Sequence, residues 1–87
     1  MYRVLLRVVL RPSILDTEGK AVRSALENLG QSEVQQVRIG KSVELLIEAG
    51  DAEAAEGVAR KAAETLLANP VMEDFSVVSV EEAGAIA

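Results

Sequence analysis

The chain has no cysteine and no histidine, and Tyr2 and Phe75 are its only aromatic residues. Without cysteine there is no disulfide framework and no thiol nucleophile, and the composition is compatible with the cytosol. Without histidine, both the commonest general base and the commonest metal ligand are missing. Basic residues are also few, nine against fourteen acids, for a net charge of −5 and a pI near 4.6. Nucleic-acid surfaces and anionic membranes both call for clustered Lys and Arg, so this balance argues against either as a partner. No apolar run approaches the roughly 20 residues that span a bilayer. Arg3 and Arg7 interrupt the greasy first ten residues and no small-residue cleavage site follows, so that stretch reads as a strand rather than a signal peptide. The expectation is a soluble, cytoplasmic protein.

What is present is aliphatic. Hydrophobic residues make up 49% of the 87, so the core must be built from Val, Leu, Ile and Ala in thin layers of helix on sheet. A chain this short forms one domain, residues 1–87, and buries only about 60 to 65% of the surface its unfolded form exposes. Self-association would add to that burial.

The stretch Val34 to Glu48 organises the pattern. Val37 and Ile39, then Val43, Leu45 and Ile47, alternate on either side of Gly40-Lys41, which predicts a central hairpin. Before it, Tyr2 to Leu10 reads as a strand with an apolar even face and an odd face of Arg3, Leu5, Arg7 and Val9. Arg11-Pro12-Ser13 ends that strand. Asp16 caps a helix whose Val22, Ala25, Leu26 and Leu29 share a face, and Gly30 stops it. After the hairpin, Asp51 caps a second helix with Ala55, Val58, Ala59, Ala62, Leu66 and Leu67 inward, ended by a left-handed Asn69 before Pro70. Phe75 to Val80 is a last strand, with Phe75 and Val77 on one face and Val78 and Val80 on the other. Residues 81–87 read as a frayed tail.

The order β-α-β-β-α-β gives an α+β, ferredoxin-like two-layer sandwich: an antiparallel sheet of spatial order 4-1-3-2 with both helices on one face. Its outer face would gather Arg3, Leu5, Arg7, Val9, Glu44, Leu46, Glu48, Val78 and Val80. A solvated face with cross-strand Arg–Glu pairs is one reading. The favoured one is an oligomer interface, because the helices cover a single face and leave an apolar strip exposed.

Other constellations lead nowhere. Gly40-Lys41-Ser42 matches the end of a Walker A motif, but position 35 is Gln35 and a strand follows, so a turn is the better reading. Asp16, Glu18 and Lys20 are explained by helix capping. No acidic spacing matches an EF-hand. The outer face lacks the aromatics of an RNA-recognition domain, and Pro12 denies the loop after the first strand an anion cradle of the acylphosphatase kind. No catalytic, metal or cofactor-binding residue is expected.

Three runs do resemble a known family: LRPSILDTEGKAV at Leu10–Val22, VQQVRIGKSVEL at Val34–Leu45 and LANPVMEDFSV at Leu67–Val77. In order and nearly end to end they resemble the PurS small subunits of phosphoribosylformylglycinamidine synthase. One departure is Thr17, where many relatives carry Pro at the first helical position, and Thr is also acceptable there.

The resemblance implies a part in de novo purine biosynthesis, in the ATP- and glutamine-dependent conversion of formylglycinamide ribonucleotide to its amidine. A PurQ-type glutaminase subunit releases ammonia, and a PurL-type synthetase subunit holds ATP and Mg and performs the amidation. The small subunit has no catalytic residue, joins the two and assists ammonia transfer. It also implies a homodimer or a dimer of dimers. The family-like positions are Asp16, Gly19, Lys20, Ala21, Arg38, Gly40, Lys41, Glu44, Asn69 and Pro70. Of these, Asp16, Lys20, Arg38, Gly40, Lys41, Asn69 and Pro70 are the candidate contacts with partner subunits. The alternative is a βαββαβ regulatory domain binding a metabolite at a dimer seam, although the glycine-rich loop usual for that is missing between Leu10 and Asp16.

Overall fold

A computed structural model of the chain describes residues 1–84. Strand β1, Tyr2–Leu10, leads to helix α1, Thr17–Asn28, then to β2, Gly40–Ile47, helix α2, Ala52–Ala62, and β3, Glu73–Glu82. The strands form one antiparallel sheet in the order β2-β1-β3. The α+β class, the antiparallel sheet and the two helices are as the sequence pattern requires. The central strand also has the two neighbours assigned to it.

The arm at residues 34–39 differs from the expected first half of a hairpin. It forms no strand among the described residues, so the place beside β2 stays open. The reason lies at Gly40, which is the first residue of β2, opposite Val9, rather than a turn. A Cβ at Gly40 would run into the Val8 carbonyl. Glycine therefore permits the close approach of two strands, and the backbone runs straight from the arm into β2.

Alternation does place the core. Val4, Leu6 and Val8 are fully buried, while Arg3 and Arg7 are exposed and Leu5 and Val9 half-buried. Ala55, Ala59 and Ala63 are also at 0% exposure and form the helical side of the core, where small residues at every fourth position let α2 lie close on the sheet. Val58 and Leu66, expected inward, are 51% and 83% exposed. Val58 lies off the line of Ala55, Ala59 and Ala63 that faces the sheet. Beyond it the helix widens into a π-helical turn, Ala63–Leu67, in which the Ala68 N–H donates to the Ala63 carbonyl at 2.9 Å. That extra residue hands the next buried place to Ala68, 7% exposed, and turns Leu66 out.

Strand β3 also shifts its phase. Leu5 pairs with Ser79 but Leu6 pairs with Val77, so Val78 is an unpaired bulge residue. Val80 consequently packs on the core beside Phe75 and Val77, against its expected outward placement, while Val78 is 56% exposed. Glu81 and Glu82 continue β3, and the Ala83 N–H donates to the Met1 carbonyl at 2.8 Å. This part of the supposed tail is therefore paired, and positions 85–87 lie outside the described residues.

Helix α1 is well capped and poorly covered. The Gly19 N–H donates to Asp16 Oδ1 at 2.8 Å. At the other end Gly30 has φ +88° and the Gln31 N–H reaches the Leu26 carbonyl at 2.9 Å, a left-handed glycine cap. Yet no α1 residue belongs to the core cluster, and Val22 and Leu29 are 37% and 75% exposed. The expected second helix on the inner face has not docked there. The radius of gyration is accordingly 16.4 Å and the extents are 50 × 29 × 18 Å, where a compact chain of this length would have a radius near 12 Å.

Candidate functional site

The residues singled out at the first helix and the arm converge on one carboxylate. Asp16, 9% exposed, accepts the Gly19 N–H through one oxygen and the Ile39 N–H through the other, both at 2.8 Å. The Gly19 N–H holds this carboxyl below its usual range, the Ile39 N–H adds to the effect, and the Arg38 charge contributes despite the opposing push of burial. Arg38 in turn donates to the Leu10 carbonyl. Gly19 is buried where a Cβ would collide with the Val37 carbonyl. Asp16, Gly19 and Arg38 thus lock the start of α1, the end of β1 and the arm together. These contacts are made within the chain, and capping alone accounts for only half of what Asp16 does.

The same holds after α2. Asn69 adopts no left-handed conformation, since no residue other than glycine has positive φ among those described. Its side-chain oxygen instead accepts the N–H groups of Val71 and Met72 at 2.9 and 3.1 Å, an Asx turn. The Pro70 carbonyl accepts from Arg11 at 2.7 Å, and Arg11 also pairs with Asp74 at 3.3 Å. Of the seven candidate contacts, Lys20, Gly40, Lys41, Asn69 and Pro70 are exposed, and among these Lys20 and Lys41 carry the charged side chains.

On the outer face of the sheet, Arg3, Leu5, Arg7 and Val9 alternate with the buried residues of β1, and Glu44 and Leu46 lie alongside. Arg3 and Glu44 form a 2.7 Å ion pair between half-exposed side chains, one of the cross-strand pairs the pattern called for. Leu46 is 41% exposed, and Glu48 stands just past the end of β2. Val80 is absent from this face. A second apolar surface comes from α1, with Val22 and Leu29 joined by Leu15 at 66% exposure. The sequence marked that face as apolar but gave no sign that it would be left open, because periodicity reports a face and not what covers it.

Comparison with known proteins decides the family. A family described as "PurS: Phosphoribosylformylglycinamidine (FGAM) synthase" matches residues 3–81. The chain belongs to the PurS family. Among curated PurS relatives, the phosphoribosylformylglycinamidine synthase subunit PurS of Bacillus subtilis is 45% identical over 75 residues, spanning 86% of this chain and 88% of its own. A solved PurS structure from Methanocaldococcus jannaschii, described as one of the subunits of formylglycinamide ribonucleotide amidotransferase, has a TM-score of 0.86 at 28% identity, covering 97% of this chain and all of the other. The structure of PurLQS from Thermotoga maritima contains a chain with a TM-score of 0.81 at 33% identity, covering 87% of this chain and 93% of that one. Among the described residues there is no group of three or more Asp and Glu placed to hold a metal ion, and no helix long and apolar enough to cross a membrane.

Proposed function

We propose that this chain is the non-catalytic assembly subunit of phosphoribosylformylglycinamidine synthase. It acts in the cytoplasm as a homodimer or dimer of dimers that bridges a PurL-type synthetase, which holds ATP and Mg, and a PurQ-type glutaminase, and it assists ammonia transfer between them. The observation that carries the reading is the match across residues 3–81 to the PurS family, joined to the likeness of this fold to a chain of PurLQS.

The geometry supports an assembly role. Three features of the chain are uncovered: the apolar face of α1, the strip around Leu5, Leu46 and Val78 on the outer sheet, and the free edge of β2. An apolar helix face and an open strand edge are both surfaces that a partner chain stabilises by burial and pairing. A second copy is the first candidate for covering them, and the exposed Lys20 and Lys41 remain for contacts with the larger subunits.

Size-exclusion chromatography of the purified chain mixed with the synthetase and glutaminase tests this reading. Co-elution of all three is the expected result. Elution of this chain apart from both partners at micromolar concentrations, with ATP and glutamine present, would contradict it.

A further inference from the structure

The chain exposes 6054 Å², whereas a folded monomer of 9.2 kDa exposes about 4,900 Å². It thus leaves open roughly 1,100 Å² that a compact fold would hide. Helix α1 is the element that stands off the core, with Leu15, Val22 and Leu29 in the open and Leu26 half-buried. The matching gap is on the sheet. Strand β2 places Val43 and Leu45 opposite Leu6 and Val4, hence on the inner face, yet both are only half-buried. The chain carries both an apolar helix without a sheet and part of a sheet without its second helix.

Its own α1 is held away from that gap. The helix starts at one end of the sheet, where Glu18 shares a hollow with Leu10, Ile39, Gly40, Lys41 and Glu73. Three ties fix it there: Asp16 to the Ile39 N–H, Gly19 packed on the Val37 carbonyl, and Arg38 to the Leu10 carbonyl. Turning α1 back over its own strands would break them. The helix therefore projects past the end of the sheet, which accounts for the 50 Å length of the chain.

We propose that α1 is exchanged between two copies, the apolar face of each covering Val43 and Leu45 on the inner sheet of the other. Because each copy gives what the other lacks, the arrangement closes on a two-fold axis, as swapped elements do. Hiding the surplus on both copies would bury roughly 2,200 Å² in total, above the roughly 1,600 Å² of an ordinary stable interface. This deepens the homodimer part of the proposed assembly role and rests on it.

A mixed-copy magnetic resonance experiment on the full chain tests the exchange. One preparation carries a nitroxide at Asn28→Cys, in a sequence with no other cysteine. It is mixed with an equal amount of wild-type chain labelled at its Val and Leu methyl groups, at a concentration where light scattering gives the dimer mass. Only contacts between copies then weaken the methyl signals. Val43 and Leu45 should lose most of their intensity, more than Leu5 and Leu46 on the outer face, and regain it when the nitroxide is reduced. A nitroxide at Ser24→Cys, on the polar side of α1, repeats the measurement from mid-helix, and circular dichroism verifies that both variants are folded.

A monomer mass at every concentration would overturn the proposal, as would no loss of intensity in the dimer. Strongest loss at Leu5 and Leu46 would assign the seam to the outer sheet, and strongest loss within α1 would assign it to helix against helix; either rejects the exchange. Shifts of the α1 methyls that need the synthetase, in a chain that is otherwise monomeric, would give α1 to that subunit and reject it too. Exchange seen in a chain that fails to co-elute with the synthetase and glutaminase rejects the bridging role alone, while co-elution with the strongest loss elsewhere rejects the exchange alone.

Discussion

The Asp16 carboxylate accepts the backbone N–H of Ile39 at 2.8 Å, across twenty-three residues of chain. One side chain therefore both starts α1 and anchors the arm that leads into the edge strand β2. Its carboxyl is held below the usual range, first by the Gly19 N–H and then by the Ile39 N–H. A carboxyl whose folded pKa is depressed contributes stability in full above its unfolded value and loses it as pH falls through the folded one. The chain should accordingly lose stability on acidification below about pH 4, and Asp16→Asn should flatten that part of the profile. Urea midpoints measured between pH 2 and pH 6 check this, and parallel profiles for the two proteins would count against the clamp.

Two glycines in helices should answer oppositely to the same change. Gly19→Ala offers a better helix former but drives a Cβ into the Val37 carbonyl, so it should destabilise the chain and loosen the arm. Gly57→Ala meets nothing within 4 Å and should stabilise α2 by about 0.5 to 1 kcal/mol. Thermal melts of the two variants give the comparison. A stabilised Gly19→Ala would mean that α1 and the arm do not approach as closely as described.

The two apolar surfaces among the three uncovered features can be probed by charge. Leu46→Asp on the outer sheet, like Leu5→Asp beside it, and Leu29→Asp on α1 should leave a folded monomer or a poorly assembled protein, since a carboxylate at a buried seam lacks a partner. Light scattering reads the mass and circular dichroism the fold. If Leu46→Asp keeps the wild-type mass, the outer sheet is not a seam between copies, and the same outcome for Leu29→Asp would remove the face of α1.

The inner alternation of β1, the caps at Asp16, Asp51 and Gly30 and the Ala face of α2 were legible in the sequence because each depends on neighbours a few residues away. What escaped it was set by contacts at long range or by an inserted residue. The bulge at Val78 turned Val80 inward, and the widened turn at Ala63–Leu67 turned Leu66 outward. The alternation of Val37 and Ile39 is a strand signal without a strand, because Gly40 serves close approach to β1 and not a turn. At the candidate site, Asp16 and Arg38 were marked by resemblance, whereas nothing local in the sequence marks Ile39, whose N–H meets the Asp16 carboxylate only in the folded chain.

The central claim, that this chain completes an enzyme without catalysing a step of its own, is tested most directly by leaving it out. Amidine formation from formylglycinamide ribonucleotide and ATP would be followed in the purified synthetase and glutaminase with glutamine as the nitrogen source, with and without the chain. Activity with glutamine should collapse without the chain and return when it is added at the stoichiometry of the complex. Unchanged glutamine-dependent activity in its absence would show that the chain is not needed to complete the enzyme.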